Sequence, residues 1–379
     1  MKVQNNFRKF NRIINTLFAE TVSGKTALPE RKRACIGWCG CFILIRIKTD
    51  SMGELLVGTL RAGVVGVGHL GRFHAQKYAL LEETDLVGVF DADADRARAV
   101  AGETGCKPFD TLDALLSAVD VVSLAVPTDR HFRLGEEILK KGIHCLIEKP
   151  VTRTLEEADR LIGLAEKQGL VLQVGHIERY NPAFKALSDI ALEPQFIESH
   201  RLAMFNPRGT EVSVILDLMI HDLDIVLKLM GQQVVSLDAK GVAVVSDTVD
   251  IANVRLHFEK GGVANLTASR ISQKKMRKMR LFQKDAYIAV DFLAGKTDLF
   301  RLGDSPGPGE MSVSEIGVDE KKRQVIYRPV QGADEDALLR EIGGFVHAVQ
   351  GKASSGASAG EGRAALDLAL QILNSMDRP

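Results

Sequence analysis

A chain of 379 residues exceeds what one ordinary hydrophobic core supports, so at least two domains are expected. Apolar residues make up 45% and charged residues 26%, which excludes a disordered or fibrous chain. Lysine plus arginine balance aspartate plus glutamate at 49 each, leaving no basic surplus for nucleic acid. Five cysteines, an odd number at this length, do not read as a disulfide framework; Cys106 and Cys145 fall in short apolar runs and read as reduced core thiols.

The first fifty residues have a character of their own. Their basic residues, from Lys2 and Arg8 to Arg46 and Lys48, face only Glu20, Glu30 and Asp50. The apolar run 34–45 around Trp38 is too short to span a bilayer, which takes roughly 20 residues. It also lies too far from the N-terminus for an ordinary secretory signal. Cys35, Cys39 and Cys41 lack a fourth ligand at zinc-finger spacing, so no metal is expected there. Residues 1–59 read as an N-terminal extension, not native or disordered, with Met52 as a plausible natural start; a membrane-surface or transit role is the alternative.

From residue 60 short apolar runs alternate with amphipathic stretches. Strands are predicted at 62–67, 86–90, 119–126, 144–147 and 170–174, and helices at 71–81, 93–104, 132–141 and 155–168. This alternation implies a doubly wound parallel sheet with right-handed crossovers over residues 60–180. After Gly175 the pattern changes. Runs at 196–205, 234–245, 251–259, 262–271, 279–282, 287–292 and 324–329 predict an open mixed, mainly antiparallel sheet, with Lys260-Gly261-Gly262 as a hairpin turn. Helices are predicted at 183–190, 214–230, 335–349 and 362–376, the last two joined by a flexible segment at 351–360. Residues 181–379 therefore form an α+β domain for substrate binding and dimerisation.

Four segments carry chemistry. Gly66-Val67-Gly68-His69-Leu70-Gly71 closes a strand, opens a helix, and precedes Asp91 by about twenty residues, the context a dinucleotide fingerprint requires. Asp91 would accept the adenosine ribose hydroxyls and repel a 2′-phosphate, favouring NAD over NADP. Glu148-Lys149-Pro150 follows a strand whose carboxyl end borders the ligand crevice, so Lys149 would project toward the nicotinamide with a lowered pKa; a surface lysine in a polar loop is the alternative. Asp217, His221 and Asp224 fall at i, i+4 and i+7 on one helix face, where carboxylates would orient the imidazole for proton transfer. The alternatives are a solvated polar face or a thin metal set. In the segment 175–182, Arg179 and Asn181 could bond a sugar or phosphate, or equally cap the next helix. Arg201, Arg208 and Arg270 are further cationic candidates, and the basic run 274–278 reads as a solvated loop.

Taken in order, these motifs resemble the Gfo/Idh/MocA oxidoreductases from about residue 60 to the C-terminus. The resemblance implies that Ala125-Val126-Pro127-Thr128 with His131 edges the nicotinamide, so Pro127, Thr128, His131, Glu148 and Lys149 join the cofactor residues. It implies Asp217 and His221 as the catalytic pair with Lys149, and an exposed sheet face that commonly forms a dimer. Where members often carry two glycines ahead of the Asp–His helix, this chain has Glu211-Val212-Ser213-Val214. The segments 176–183 and 216–222 resemble a bacterial branch that includes nucleotide-sugar dehydrogenases acting on UDP-N-acetylglucosamine at carbon 3.

The expectation is a cytoplasmic homo-oligomeric enzyme in which NAD⁺ accepts hydride from a secondary sugar hydroxyl and yields a ketosugar. His221, oriented by Asp217, would take the proton while Lys149 stabilises alkoxide charge, or the two would exchange roles. Arg179, Asn181, Arg201 and Arg270 would contact the sugar or nucleotide sugar. The rivals are an inositol or free-sugar dehydrogenase, a redox-type glycosidase and a non-catalytic NAD-sensing regulator.

Overall fold

Apolar residues at consecutive positions suit strands covered on both faces. Such runs at Leu60–Val65, Val121–Leu124 and His144–Glu148 lie at the centre of one sheet in the computed structural model. The structure describes residues 34–38, 41–45, 59–206, 209–318, 322–332 and 335–376. The chain forms two compact units, residues 1–58 and 59–379. In the first, β1 (Ala34–Trp38) and β2 (Cys41–Ile45) pair antiparallel. Met52, Cys39 and Arg208 lie outside the described residues, as do the side chains of Cys35, Trp38 and Cys41.

The second unit opens with β3 (Leu60–Val65), α1 (His69–Tyr78), β4 (Thr84–Phe90), α2 (Ala94–Thr104), β5 (Lys107–Pro108) and α3 (Leu112–Leu116). It continues with β6 (Val121–Leu124), α4 (His131–Lys140), β7 (His144–Glu148), α5 (Leu155–Gln168) and β8 (Leu172–Gly175). The helix boundaries follow local chemistry. Thr154 caps α5 by accepting the Glu157 N–H, and Gly169 ends it in the left-handed region at φ 66°. These strands run in the order β8-β7-β6-β3-β4-β5, all parallel. The order reverses between β3 and β6, which opens a crevice at their carboxyl ends.

A short helix α6 (Pro182–Lys185) and a 3-10 turn (Ala186–Asp189) stand where one helix over 183–190 was expected. They lead into β9 (Phe196–Leu202), a π turn (Ile215–Met219) and α7 (Ile220–Met230). Next come β10 (Val234–Val242), β11 (Ile251–Phe258), β12 (Val263–Ser269), β13 (Met276–Gln283), β14 (Ala286–Asp291), β15 (Lys296–Gly303), β16 (Met311–Ile316) and β17 (Arg323–Gln331). The nine strands β9–β17 form one sheet in the order β10-β11-β12-β9-β13-β14-β15-β17-β16, with only β12 and β9 parallel. Its inner face packs Ile197, Val254, Leu266 and Leu281 against Leu223 and Val226 of α7. On its outer face Phe196, Phe282, Tyr287, Phe300 and Tyr327 form a ladder with ring centres 5.0–5.6 Å apart.

The chain closes with α8 (Ala337–Val349), β18 (Ala357–Ser358) and α9 (Ala359–Met376). β18 pairs antiparallel with β8, so residues 357–358 of the segment expected to be a flexible joint form an edge strand of the first sheet. The run 274–278 likewise departs from a solvated loop, since Met276, Arg277 and Lys278 begin β13. Cys145 is fully buried on β7, and burial pushes its thiol up to about 12.

Two buried arginines lock α7 in place. Arg179 donates to both oxygens of Asp224 at 2.6 and 2.8 Å and to Glu361 at 2.8 Å. Arg201 donates to both oxygens of Asp222 at 2.7 and 3.1 Å and to Glu178 at 2.8 Å. Removing one member of a buried pair strands the other charge. Arg179→Ala is therefore expected to cost about 3–5 kcal/mol in urea unfolding. Glu361→Ala, whose carboxylate is 41% exposed, should cost about 1 kcal/mol or less; equal losses would contradict this assignment.

Glu341 on α8 is buried with neither carboxyl oxygen hydrogen-bonded among the described residues. Burial, then the charges of Glu148 and Asp224, hold its carboxyl well above the ordinary value of 4.5. The folded state thus binds a proton that the unfolded state releases, and stability falls as pH rises above the unfolded value. Wild-type unfolding energy should decline relative to Glu341→Gln by up to about 1.4 kcal/mol per pH unit from that value to the raised one. Parallel curves for the two proteins in denaturant titrations across pH would refute it.

Candidate active site

The glycine turn is shaped by what surrounds it. Gly66 has φ 82°, and a Cβ there would strike Val126 and the Ala125 carbonyl. A Cβ on Gly71 would overlap the Gly66 carbonyl, so this position brings α1 hard against the turn. Gly68 differs: a Cβ would meet nothing within 4 Å, leaving open space beside the start of α1. No side chain caps that helix and no acid lies in its first turn, so its free N–H groups suit a pyrophosphate. The residues present fit NAD in this respect.

Asp91 ends β4 beside the turn. Its carboxylate accepts the Val67 N–H at 2.7 Å and the Asp93 N–H at 2.9 Å, with Arg96 at 3.3 Å. It therefore pins the glycine turn. A cleft of about 650 Å³ lies alongside, lined by Gly68, His69, Arg72, Arg96, Val100 and Glu103. His69 is exposed there and packs edge to face with Phe73, and Leu70 beside it is exposed too.

At the carboxyl end of β6, Pro127 is exposed and Thr128 partly so. His131 is enclosed instead. Its ring nitrogens lie 2.9 Å from the Pro150 carbonyl and 2.8 Å from that of Val126. It joins the two loops that border the crevice and presents no nitrogen to it. Glu148 is bridged by His74, whose other nitrogen meets Ser123, which in turn donates to Tyr78. Sequence reasoning missed this chain, although His74 lies one helical turn beyond the glycines.

Lys149 emerges next to it, joined to Pro150 by a cis peptide bond. Its Nζ donates to the Asp217 carbonyl at 2.7 Å and lies 3.7 Å from the Asp217 carboxylate. Burial lowers the ammonium pKa, while Asp217 and Glu148 pull it back up. The π turn explains why Asp217 meets Lys149. An extra residue per turn rotates it relative to His221 and leaves its carbonyl available. His221 consequently lacks the carboxylate partner expected of it. Its Nδ1 is shielded and unpartnered among the described residues, and Asp224 is committed to Arg179. The residue as a whole is only half-buried. Burial, then Lys149, Arg201, His176 and Arg277, hold the imidazole pKa well below 6.5.

The four expected substrate contacts are all engaged internally. Arg179 and Arg201 are spent on buried acids. Asn181 caps α6 through Ala183 and donates to Glu178 and to the Phe292 carbonyl, each at 3.0 Å. Arg270 donates to the carbonyls of Gly209, at 2.9 Å, and Val212. Arg277, read from the sequence as part of a solvated basic run, lies on a strand instead. It stands opposite Arg201 on β13, 47% exposed, with one contact to Glu178 at 3.4 Å. Alternation along the strand starting at Met276 would have assigned it to the inner face.

Comparison with known proteins bears on the family and the fold. The oxidoreductase family described as GFO_IDH_MocA, NAD-binding Rossmann fold, matches residues 60–176, and the GFO/IDH/MocA C-terminal domain matches residues 196–288. The UDP-N-acetylglucosamine 3-dehydrogenase of Acidithiobacillus ferrooxidans is 44% identical over 83% of this chain and 96% of its own. A solved structure of that organism's enzyme superposes with a TM-score of 0.75 at 42% identity, covering 84% of this chain and 98% of the other. The inositol 2-dehydrogenase of Rhizobium meliloti is 26% identical over 84% of this chain and 97% of its own. The chain belongs to the Gfo/Idh/MocA family of oxidoreductases, with that family's NAD-binding Rossmann fold in its first sheet.

Proposed function

We propose that this protein oxidises UDP-N-acetylglucosamine at carbon 3 to the 3-ketosugar. The observation that carries the reading is the meeting of Lys149, from the cofactor sheet, with the π turn that leads into His221. The similarity to the Acidithiobacillus ferrooxidans enzyme supplies the substrate. Bound NAD⁺ provides the hydride acceptor. His221, neutral because its pKa is depressed, takes the hydroxyl proton on Nε2. Lys149 donates from Nζ to the same oxygen and stabilises the developing alkoxide. Asp217 holds Lys149 from below through its carbonyl and carboxylate. Arg277 contacts the diphosphate of the nucleotide.

Assembly into a homo-oligomer accords with the partly exposed aromatic ladder on the outer sheet face. Unpaired Cys106 and Cys145 and the use of NAD fit a cytoplasmic setting; among the described residues, no helix is long and apolar enough to cross a membrane.

NADH absorbance should rise with UDP-N-acetylglucosamine and not with free N-acetylglucosamine or myo-inositol. Lys149→Ala and His221→Ala should each lower kcat by about 10²–10⁴-fold. Because a depressed pKa keeps the imidazole neutral into acid, the His221-dependent fall in rate should lie below pH 6.5. No turnover of any UDP-sugar by protein that binds NAD⁺ would overturn the proposal.

Arg277→Gln tests the diphosphate contact separately. It should raise KM for the UDP-sugar about tenfold or more, given the strength of a charge-assisted bond, with KM for NAD⁺ unchanged. An unaltered sugar KM would remove Arg277 from the substrate site.

A further inference from the structure

His176 stands where β8 ends and the 3-10 turn Ile177–Tyr180 begins. Its side chain is 1% exposed, and neither ring nitrogen has a hydrogen-bond partner among the described residues. Nδ1 lies 3.9 Å from an Asp224 oxygen, beyond hydrogen-bond reach, and Arg179 already holds both oxygens of that carboxylate. The His176 ring meets the His221 ring edge to face at 6.4 Å. On the His221 ring, Nδ1 is again buried and unpartnered.

Unpartnered nitrogens on neighbouring buried rings are costly unless something joins them. Imidazoles joined directly by N–H···N have centres roughly 5 Å apart, so these rings are too far for that and suit one intervening water. Such a water needs two to four polar partners, and the two imidazoles supply two of them. No acid of the π turn or of α7 can take the place of His176. Asp222 is bound to Arg201, Asp224 to Arg179, and Asp217 is turned to Lys149. The charged groups that face His221 are Lys149, Arg201 and Arg277; those that face His176 are Asp224, Arg179, Lys149 and Glu148.

We propose that His176 is a positioning residue for the oxidation, holding His221 through one buried water in the tautomer that carries its proton on Nδ1. The inference rests on His221 acting as the base. With Nδ1–H donated to the water, Nε2 keeps its lone pair for the substrate. The water donates in turn to His176 Nε2, while His176 Nδ1 carries the proton on the side of the Asp224 charge, 3.9 Å away. In turnover the substrate O–H proton passes to His221 Nε2 and the C–H hydrogen leaves with its electron pair as hydride to NAD⁺. The carbon–oxygen double bond forms, and Nδ1–H stays in place throughout.

Ring ¹⁵N chemical shifts of His221 in the full chain with NAD⁺ test this apart from activity. Wild type should show protonated Nδ1 and unprotonated Nε2. His176→Phe, which keeps a ring but removes both nitrogens, should mix the two tautomers. It should also lower kcat roughly ten- to hundredfold, leaving KM for NAD⁺ and for the sugar within about twofold. His176→Gln, able to accept and donate, should recover most of the rate. A wild-type spectrum with protonated Nε2 overturns the proposal even if His176→Phe fails to fold. So does a folded His176→Phe with unchanged His221 shifts, or a Gln variant as impaired as Phe. Should the wild type oxidise no UDP-sugar while its tautomer still responds to position 176, the substrate reading fails and this one stands.

Discussion

The whole arrangement depends on charges that had to be neutralised out of reach of water. Asp222 and Asp224 sit two residues apart on α7, both buried, and each faces a buried arginine from another segment. Together the clamps tie the helix bearing His221 to the exit of β8 and to β9. Hydrophobic packing alone tolerates small sliding, but two bidentate guanidinium–carboxylate pairs do not. The energetic return from such pairs is modest or even negative against an apolar substitute, because desolvating each ion is expensive. Their value here is geometric: they set where the His221 imidazole stands relative to a lysine delivered by another sheet.

Behind Lys149 lies a second polar layer. Tyr78, Ser123, His74 and Glu148 form a hydrogen-bonded chain from α1 through β6 to β7, so the helix that opens at the glycine turn also supports the lysine strand. Glu341 approaches the same region from α8 as a carboxyl whose ionisation is suppressed. The helix that follows the glycine turn is thus tied to the end of β7 through His74 and Glu148.

Much of this was legible in the residues. The helix Leu155–Gln168 could be read to the residue because a capping threonine and a left-handed glycine bracket it. The glycine turn, Lys149 and the Asp217–His221 segment stood out because their chemistry is local. What escaped was non-local. Arg179 and Glu361 are 182 residues apart, and nothing near Arg179 signals that its partner lies in the last helix. The π turn was hidden because its apolar pattern over 214–230 also fits an uninterrupted α-helix, yet it decides which group Asp217 touches. β18 has two residues, too few for any period. β15 carries Lys296, Asp298 and Arg301 on a strand whose buried residues, Thr297 and Leu299, are only half apolar.

That short strand has a structural consequence of its own. β18 supplies the last edge of the Rossmann sheet from residues 357–358, after the chain has completed the other domain. Gly356 and Gly362 pass so close to Gln173 and Val174 that any side chain there would collide with them. The dinucleotide half is therefore a discontinuous domain, finished only by the C-terminal segment. During synthesis the β8 edge stays open until residues 357–358 have left the ribosome, and a gene cut after β8 would encode a sheet with a raw edge.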